Sequence, residues 1–214
     1  SLMKMMTNRQ YEVDYSKEKI RLLGKAAFLH DIGMAKIPKS ILNKESELSE
    51  EEMVIIKKHP LDGAELSGKL EKEVIEAIKY HHERMDGSGY PEGLRGENIP
   101  EMARIIAIAD IYSALTENRV YRSKYSYYDA MKIMMQSSAE VLDSAILKKF
   151  LKYMPIYPIN SIVYLNDGKS GKVVKANLNP FRPVIDMEGE SGIQRIDLMD
   201  TENLTKYIIR AKNS

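Results

Sequence analysis

The sequence predicts a mainly α-helical protein that ends in a small all-β appendage, and three observations carry that prediction. Apolar residues recur at helical spacing in successive segments between about residues 17 and 153. After Tyr157-Pro158 the pattern changes to short β-branched runs, SIVYL, KVVKA, RPVIDM and IQRIDL, separated by turn chemistry such as Asp167-Gly168 and Asn179-Pro180. The chain has 214 residues, 43% of them hydrophobic, which suffices for a real core in each of one or two domains. The expected division is a helical domain over 1–155 and an accessory β domain over 156–214, of roughly four or five strands closed like a small barrel.

The elements follow in order. Ser16 is placed to cap the helix KEKIRLLGKAAFLHD, which ends at His30-Asp31 just before Gly33. Ser49 followed by Glu50, Glu51 and Glu52 is a capping-box start, because the third glutamate can reach back to the free backbone donors of the helix end. That helix is expected to run to His59 and stop at Pro60. Val74, Ile75 and Ile78 mark another helix from Glu71 to His82, which gives way to the loop DGSGYPEGLRGENIP. Glycines at 87, 89, 93 and 96 make this a shaped loop. Pro100 precedes the apolar, Ala-rich helix EMARIIAIADIYSAL, and two amphipathic helices follow at about 126–137 and 143–153.

Composition excludes several classes of function. Lys and Arg number 32 against 31 Asp and Glu, so the net charge of +1 offers no polyanion-binding surface and argues against a DNA or RNA polymer as partner. No window approaches the roughly 18 to 20 apolar residues of a membrane span, and the start of the chain lacks a secretory pattern. The expected location is the cytoplasm. With no cysteine there is no thiolate nucleophile and no Cys-ligated metal. A bound metal would rest on His, Asp or Glu.

The four histidines, His30, His59, His81 and His82, all fall at predicted helix ends or on buried-looking faces. A single histidine in such a place is more often a satisfied core residue than a ligand. Taken together they point elsewhere, since His30 adjoins Asp31, His81 adjoins His82, and Asp110 interrupts the apolar helix IIAIADIY. An unpaired buried carboxylate there would cost about several kcal/mol, which a cation relieves. Adjacent helical side chains diverge by about 100°, so two adjacent pairs suit two metals better than one. Two metals about 3.5 to 4 Å apart are a recurrent solution for phosphodiester hydrolysis. The alternative is a helical bundle with buried His–Asp hydrogen bonds and no metal.

HDIG at 30–33, KKHPLDGAELS at 57–67, HHERMDGSGYPEGLRGENIP at 81–100 and ARIIAIADIYSALTENRVYR at 103–122 together resemble the HD-GYP domain, a branch of the HD phosphohydrolase superfamily. The resemblance covers about residues 17–153, and the HHExxDGxGYP string in order with the other blocks makes it specific. It implies an HD-type helical bundle, a bi- or trinuclear centre of iron or manganese type, and hydrolysis of cyclic di-GMP to the linear dinucleotide or GMP. By motif, His30, Asp31 and Asp110 would hold one ion and His59, His81 and His82 the other, with Asp31 bridging and Asp31 and Asp110 counted as catalytic. Tyr90 would line the substrate entrance, and Arg119 and Arg122 would meet the phosphates and guanines. Glu83 and Asp86 would shape the loop or orient a ligating imidazole.

Three positions depart from the family pattern. A further metal-binding His, with a Glu in trinuclear members, would lie upstream of Ser1, so the chain reads as an excised domain or one that lacks that helix. The lysine usual after HDIG is Met34, with Lys36 as a candidate substitute toward the substrate phosphate. The aspartate usual three residues after the last ligand is Ser113. The unbroken ligand series favours a phosphodiesterase. The departures favour a domain that binds cyclic di-GMP, or a signalling protein through its GYP loop, without hydrolysis.

Overall fold

A computed structural model describes residues 16–44, 46–117, 125–137, 140–154, 156–189 and 192–212. Helix α1 (Lys17–Leu29) begins where the Ser16 hydroxyl accepts the Lys19 N–H at 3.2 Å, and its buried face carries Ile20, Leu22, Leu23 and Ala26. His30 and Asp31 follow directly, then a 3-10 turn over Ile32–Lys36 and the short α2 (Lys39–Leu42). Helix α3 (Glu50–Ile56) opens with the expected capping box, in which the Glu52 carboxylate accepts the Ser49 N–H at 2.7 Å and Ser49 Oγ accepts the Glu52 N–H at 3.2 Å.

Here the structure corrects the sequence reading. Helix α3 stops at Ile56, and His59 opens a new helix, α4 (His59–Leu66), with Pro60 in its first turn. A proline lacks the N–H that a helix leaves unpaired in its first turn anyway, so it starts this helix instead of ending the previous one. His59 thus sits at a corner between two helices.

Helix α5 (Lys72–Tyr80) and the long α6 (Glu101–Thr116) complete the scaffold of the site. Leu22, Leu23 and Ala26 of α1 form one core cluster with Val74, Ala77 and Ile78 of α5 and with Ile105 and Ile106 of α6. Spacings of three and four residues put the α1 and α5 sets each on one helix face. Fully burying a side chain such as Ile78 contributes about 1.5–3 kcal/mol. Across the start of α5, the Glu71 carboxylate takes both Arg21 and Lys25 of α1 at 2.8 Å. The C-terminal ends of α1 and α5 meet where the rings of His30 and His81 stand with centroids 5.1 Å apart.

A second close approach brings the turn after Asp31 onto α4. Gly33 is buried, and a Cβ there would run into the His59 carbonyl oxygen and lie 2.6 Å from the Gly63 nitrogen. Gly63 in turn leaves 3.3 Å between its own added Cβ and the Gly33 nitrogen. Two glycines face to face let the backbone of the His-Asp segment touch the helix that carries His59.

Helices α7 (Tyr127–Ser137) and α8 (Ser144–Tyr153) precede five antiparallel strands, β1 (Ile162–Leu165), β2 (Ser170–Lys175), β3 (Val184–Gly189), β4 (Gly192–Asp197) and β5 (Ile208–Lys212). The Asp167-Gly168 turn between β1 and β2 uses a positive φ of 82° at Gly168. Val163, Leu165, Val173, Ile185, Met187 and Ile196 supply the buried row of the sheet. The order is β4-β3-β2-β1-β5, an open sheet and not the expected barrel-like closure. Closure would need β4 to pair with β5, but β5 takes the free edge of β1, and among the described residues β4 pairs only with β3.

Of the described residues, 16–114, 137 and 140–147 form one compact unit, and 115–117, 125–136 and 148–212 form another. Among them no helix is long and apolar enough to cross a membrane.

Gly33→Ala is expected to destabilise the protein by at least about 1–3 kcal/mol, because backbone atoms, which cannot rotate away, occupy the space of the new methyl. A denaturation midpoint equal to that of the parent would contradict this packing.

Candidate metal centre

Three histidines reach one point from three helix ends, and a repeated local hydrogen bond orients each ring. His30 Nδ1 donates to the Ala27 carbonyl at 2.9 Å, His59 Nδ1 to the Ile56 carbonyl at 2.8 Å, and His81 Nδ1 to the Ile78 carbonyl at 2.7 Å. In every case the acceptor lies three residues back, among the carbonyls that a helix end leaves unpaired. A carbonyl oxygen can only accept, so Nδ1 carries the proton in each neutral ring and Nε2 presents a lone pair.

Those three Nε2 atoms converge on Asp31. Its Oδ1 lies 3.2 Å from His59 Nε2 and 3.7 Å from His81 Nε2, while its Oδ2 lies 3.3 Å from His30 Nε2. On the far side, His30 Nε2 is 4.0 Å from Asp110 Oδ1 on α6. The two oxygens of one carboxylate thus face two donor sets. Asp31, His59, His81 and His82 offer ligand atoms that all lie within 4.8 Å of one another. His30 and Asp110 stand beyond the other oxygen of Asp31.

The electrostatics of this cluster suit a cation. When the rings also carry a proton on Nε2, hydrogen bonds from His30, His59 and His81 hold the Asp31 carboxyl well below the usual carboxylate range; when they are neutral, the same Nε2 atoms turn lone pairs toward it. Burial disfavours the charged form of His30, but the hydrogen bond and charge of Asp31 outweigh it and raise its pKa. Burial, joined by the charges of His81 and His59, pushes His82 down to about 2, so its ring is neutral. His59 Nε2 and His81 Nε2 lie only 3.3 Å apart, and both are buried. With both Nδ1 atoms used as donors, two lone pairs face each other, an arrangement that a shared cation satisfies. Asp110 differs from expectation in its burial. Its side chain keeps 25% of its exposure, so the cost assigned to it as a fully buried carboxylate is reduced.

The loop after His82 is held by Glu83. This carboxylate is 2% exposed and accepts three backbone N–H groups, from Glu92 at 2.7 Å, Gly93 at 3.1 Å and Leu94 at 3.0 Å. Asp86 shapes the same loop by accepting the Ser88 N–H at 3.0 Å and its hydroxyl at 2.7 Å. Both act on the loop backbone, and neither carboxylate touches an imidazole. Gly89 is tight against the preceding segment, since a Cβ there would lie 2.5 Å from the Arg84 nitrogen and the His82 oxygen. Tyr90 is returned to the cluster by this path, its N–H reaching the His82 carbonyl at 3.3 Å and its ring stacking on His82 with centroids 4.7 Å apart. Burial raises the Tyr90 phenol to about 12, so it remains protonated.

The other expected site residues are placed as follows. The Lys36 ammonium is held by Glu65 at 2.6 Å and Asp62 at 3.4 Å on α4. Met34 is half-buried in the turn after Asp31, and Ser113 lies on α6 three residues after Asp110. Arg119 and Arg122 fall outside the described residues. Two residues near Tyr90 were not singled out from sequence: Lys57, with its ammonium 5.6 Å from the centre of the Tyr90 ring, and Arg84. Their only sequence signal was a position two residues from a histidine.

The profile of the HD domain family matches residues 2–146. The chain belongs to the HD domain family. It is 35% identical over 159 residues, 73% of this chain and 38% of the relative, to "Cyclic di-GMP phosphodiesterase PA4108" of Pseudomonas aeruginosa. It is 39% identical over 138 residues, 63% of this chain and 32% of the relative, to "3'3'-cGAMP-specific phosphodiesterase 1" of Vibrio cholerae. Among solved structures it is similar to Bd1817, an HDG"Y"P protein from Bdellovibrio bacteriovorus, with a TM-score of 0.52 and 25% identity over 63% of this chain and 44% of that one. The chain therefore spans less than half the length of each of these proteins. Together with the HHERMDGSGYP string, these likenesses place it in the HD-GYP branch.

Two outcomes follow from the geometry. Asp31→Ala is expected to lose more metal than His59→Ala, because Asp31 faces two donor sets and His59 contributes one nitrogen; metal content per purified chain decides it. Glu83→Ala strands three loop N–H groups at about 1–3 kcal/mol each where they stay dry. Since the chain has no Trp, Tyr90→Trp installs a single fluorescent reporter, whose emission should shift to the red when Glu83→Ala is added.

Proposed function

We propose that this chain is a metal-dependent phosphodiesterase that hydrolyses cyclic di-GMP to the linear dinucleotide or GMP. The observation that carries the reading is the position of Asp31, one carboxylate with an oxygen turned to each of two donor sets. The activities for which the relatives are named supply the substrate class, cyclic dinucleotides. In this reading His30, Asp31 and Asp110 hold one divalent transition-metal ion, and Asp31, His59, His81 and His82 hold a second. Imidazole and carboxylate donors without thiolate suit iron or manganese. Such ions supply Lewis acidity toward the phosphodiester and acidify the water that attacks it.

The chain's own residues do the rest. The Nδ1 hydrogen bonds keep three imidazoles turned inward and spare the site that reorganisation. Tyr90 on its Glu83-anchored loop walls one side of the cluster through its stack on His82 and excludes water there. Arg119 and Arg122 are assigned to the phosphates and guanines. The phosphohydrolase part spans residues 1–155, with 156–214 as an accessory domain, and the setting for a soluble nucleotide substrate is the cytoplasm.

A second reading, binding of cyclic di-GMP or of a signalling protein through the GYP loop without turnover, is favoured by one observation. Residue 34 carries no charge, and Lys36 is tied to Glu65 and Asp62 and does not replace it.

Turnover separates the two. The metal-loaded protein should convert cyclic di-GMP, with 3',3'-cGAMP run beside it, and removal of metal by chelation should abolish the reaction. Retained metal with no product would leave only the binding reading. Met34→Lys combined with Ser113→Asp should raise kcat/KM by about ten- to a hundredfold, the worth of one charge-assisted phosphate contact. Lys36→Ala should leave kcat/KM unchanged.

A further inference from the structure

We propose that the Arg84 guanidinium binds a phosphoryl oxygen of the substrate beside the metal cluster, an assignment that rests on the phosphodiesterase reading. Arg84 is half-buried at the base of the Tyr90 loop, two residues from His82. One nitrogen, Nη1, donates to the carbonyls of Glu83 at 2.9 Å and His81 at 3.3 Å, which fixes the plane of the group. Among the described residues nothing accepts from Nε or Nη2, and no carboxylate lies within ion-pair distance.

The nearby carboxylates are otherwise engaged. Glu83, the adjacent residue, turns its carboxylate to three loop N–H groups, and Asp86 is taken up by Ser88. The Nη1 bond to the His81 carbonyl sets the guanidinium beside the cluster, and Asp110, His82 and the Tyr90 phenol interact with it there.

Other half-buried arginines in this chain are treated differently. Arg104 is paired to Asp143 at 2.6 Å. Arg182 is caged by the carbonyls of Leu198, Asn203, Leu204 and Lys206, so its donors serve the fold. Arg84 has neither arrangement. A guanidinium cannot shed its proton, and its charge costs free energy when partly withdrawn from water without an anion. Its unused Nε and Nη2 donors form one side of a planar fork, the edge that grips a phosphate through two parallel hydrogen bonds. Beside a cluster built for cations, the role assigned to that edge is to take one oxygen of a phosphodiester whose other oxygens turn to the metals.

The test uses the metal-loaded protein and inorganic phosphate as probe, by calorimetric titration, with KM and kcat for cyclic di-GMP measured in parallel. Arg84→Gln should weaken phosphate binding by about ten- to a hundredfold at unchanged metal content, and should raise KM more than it lowers kcat. Arg84→Lys should recover part of the affinity, as a point charge without the fork. Phosphate affinity unchanged in Arg84→Gln, no phosphate binding by the parent, or equal loss of metal in both variants would each overturn the assignment. If the parent turns over no cyclic dinucleotide while its phosphate binding still depends on Arg84, the phosphodiesterase reading falls and the anion site stands.

Discussion

Each of three imidazoles donates Nδ1–H to the carbonyl three residues behind it, and the candidate centre depends on that one bond. The bond settles the tautomer, aims Nε2 inward and uses a carbonyl that a helix end would otherwise leave to solvent. It costs the fold nothing extra, because the chain must leave the helix there in any case. The price of the arrangement is the opposition of lone pairs it creates between His59 and His81, and that opposition is what suits the cluster to a cation.

Bringing the three ends together is a matter of packing. The core shared by α1, α5 and α6 sets His30 beside His81, with ring centroids 5.1 Å apart. Gly33 and Gly63 allow the turn after Asp31 to lie against α4, which delivers His59. Asp31 needs no long-range device, since it follows His30 in the chain. Glu83 then closes the site by tying the loop of residues 92–94 to the residue after His82, so Tyr90 and Arg84 are ordered by the same carboxylate that neutralises neither of them.

Features governed by hydrogen bonds within three or four residues were legible from sequence. The Ser16 cap, the Ser49–Glu52 box and the ends of α5 and α6 belong to this class. Pro60 was misread because a proline marks a helix boundary without saying on which side the helix lies, and here the helix follows it. The open sheet was misread because strand content does not specify which edges pair, and β5 chose β1. Asp110 looked fully buried because its neighbours Ile105, Ile106, Ala107 and Ile108 are, whereas its own side chain points to the edge of the cluster.

Residue types and local spacing were enough to specify the helical class, the β appendage and the donor inventory of His30, Asp31, His59, His81, His82 and Asp110. Helix packing settled which oxygen of Asp31 meets which histidine, and that Lys36 is paired while, among the described residues, Arg84 has no carboxylate at ion-pair distance. Those outcomes depend on the direction in which side chains from separate segments leave the backbone once the helices have packed, and no local pattern encodes that direction.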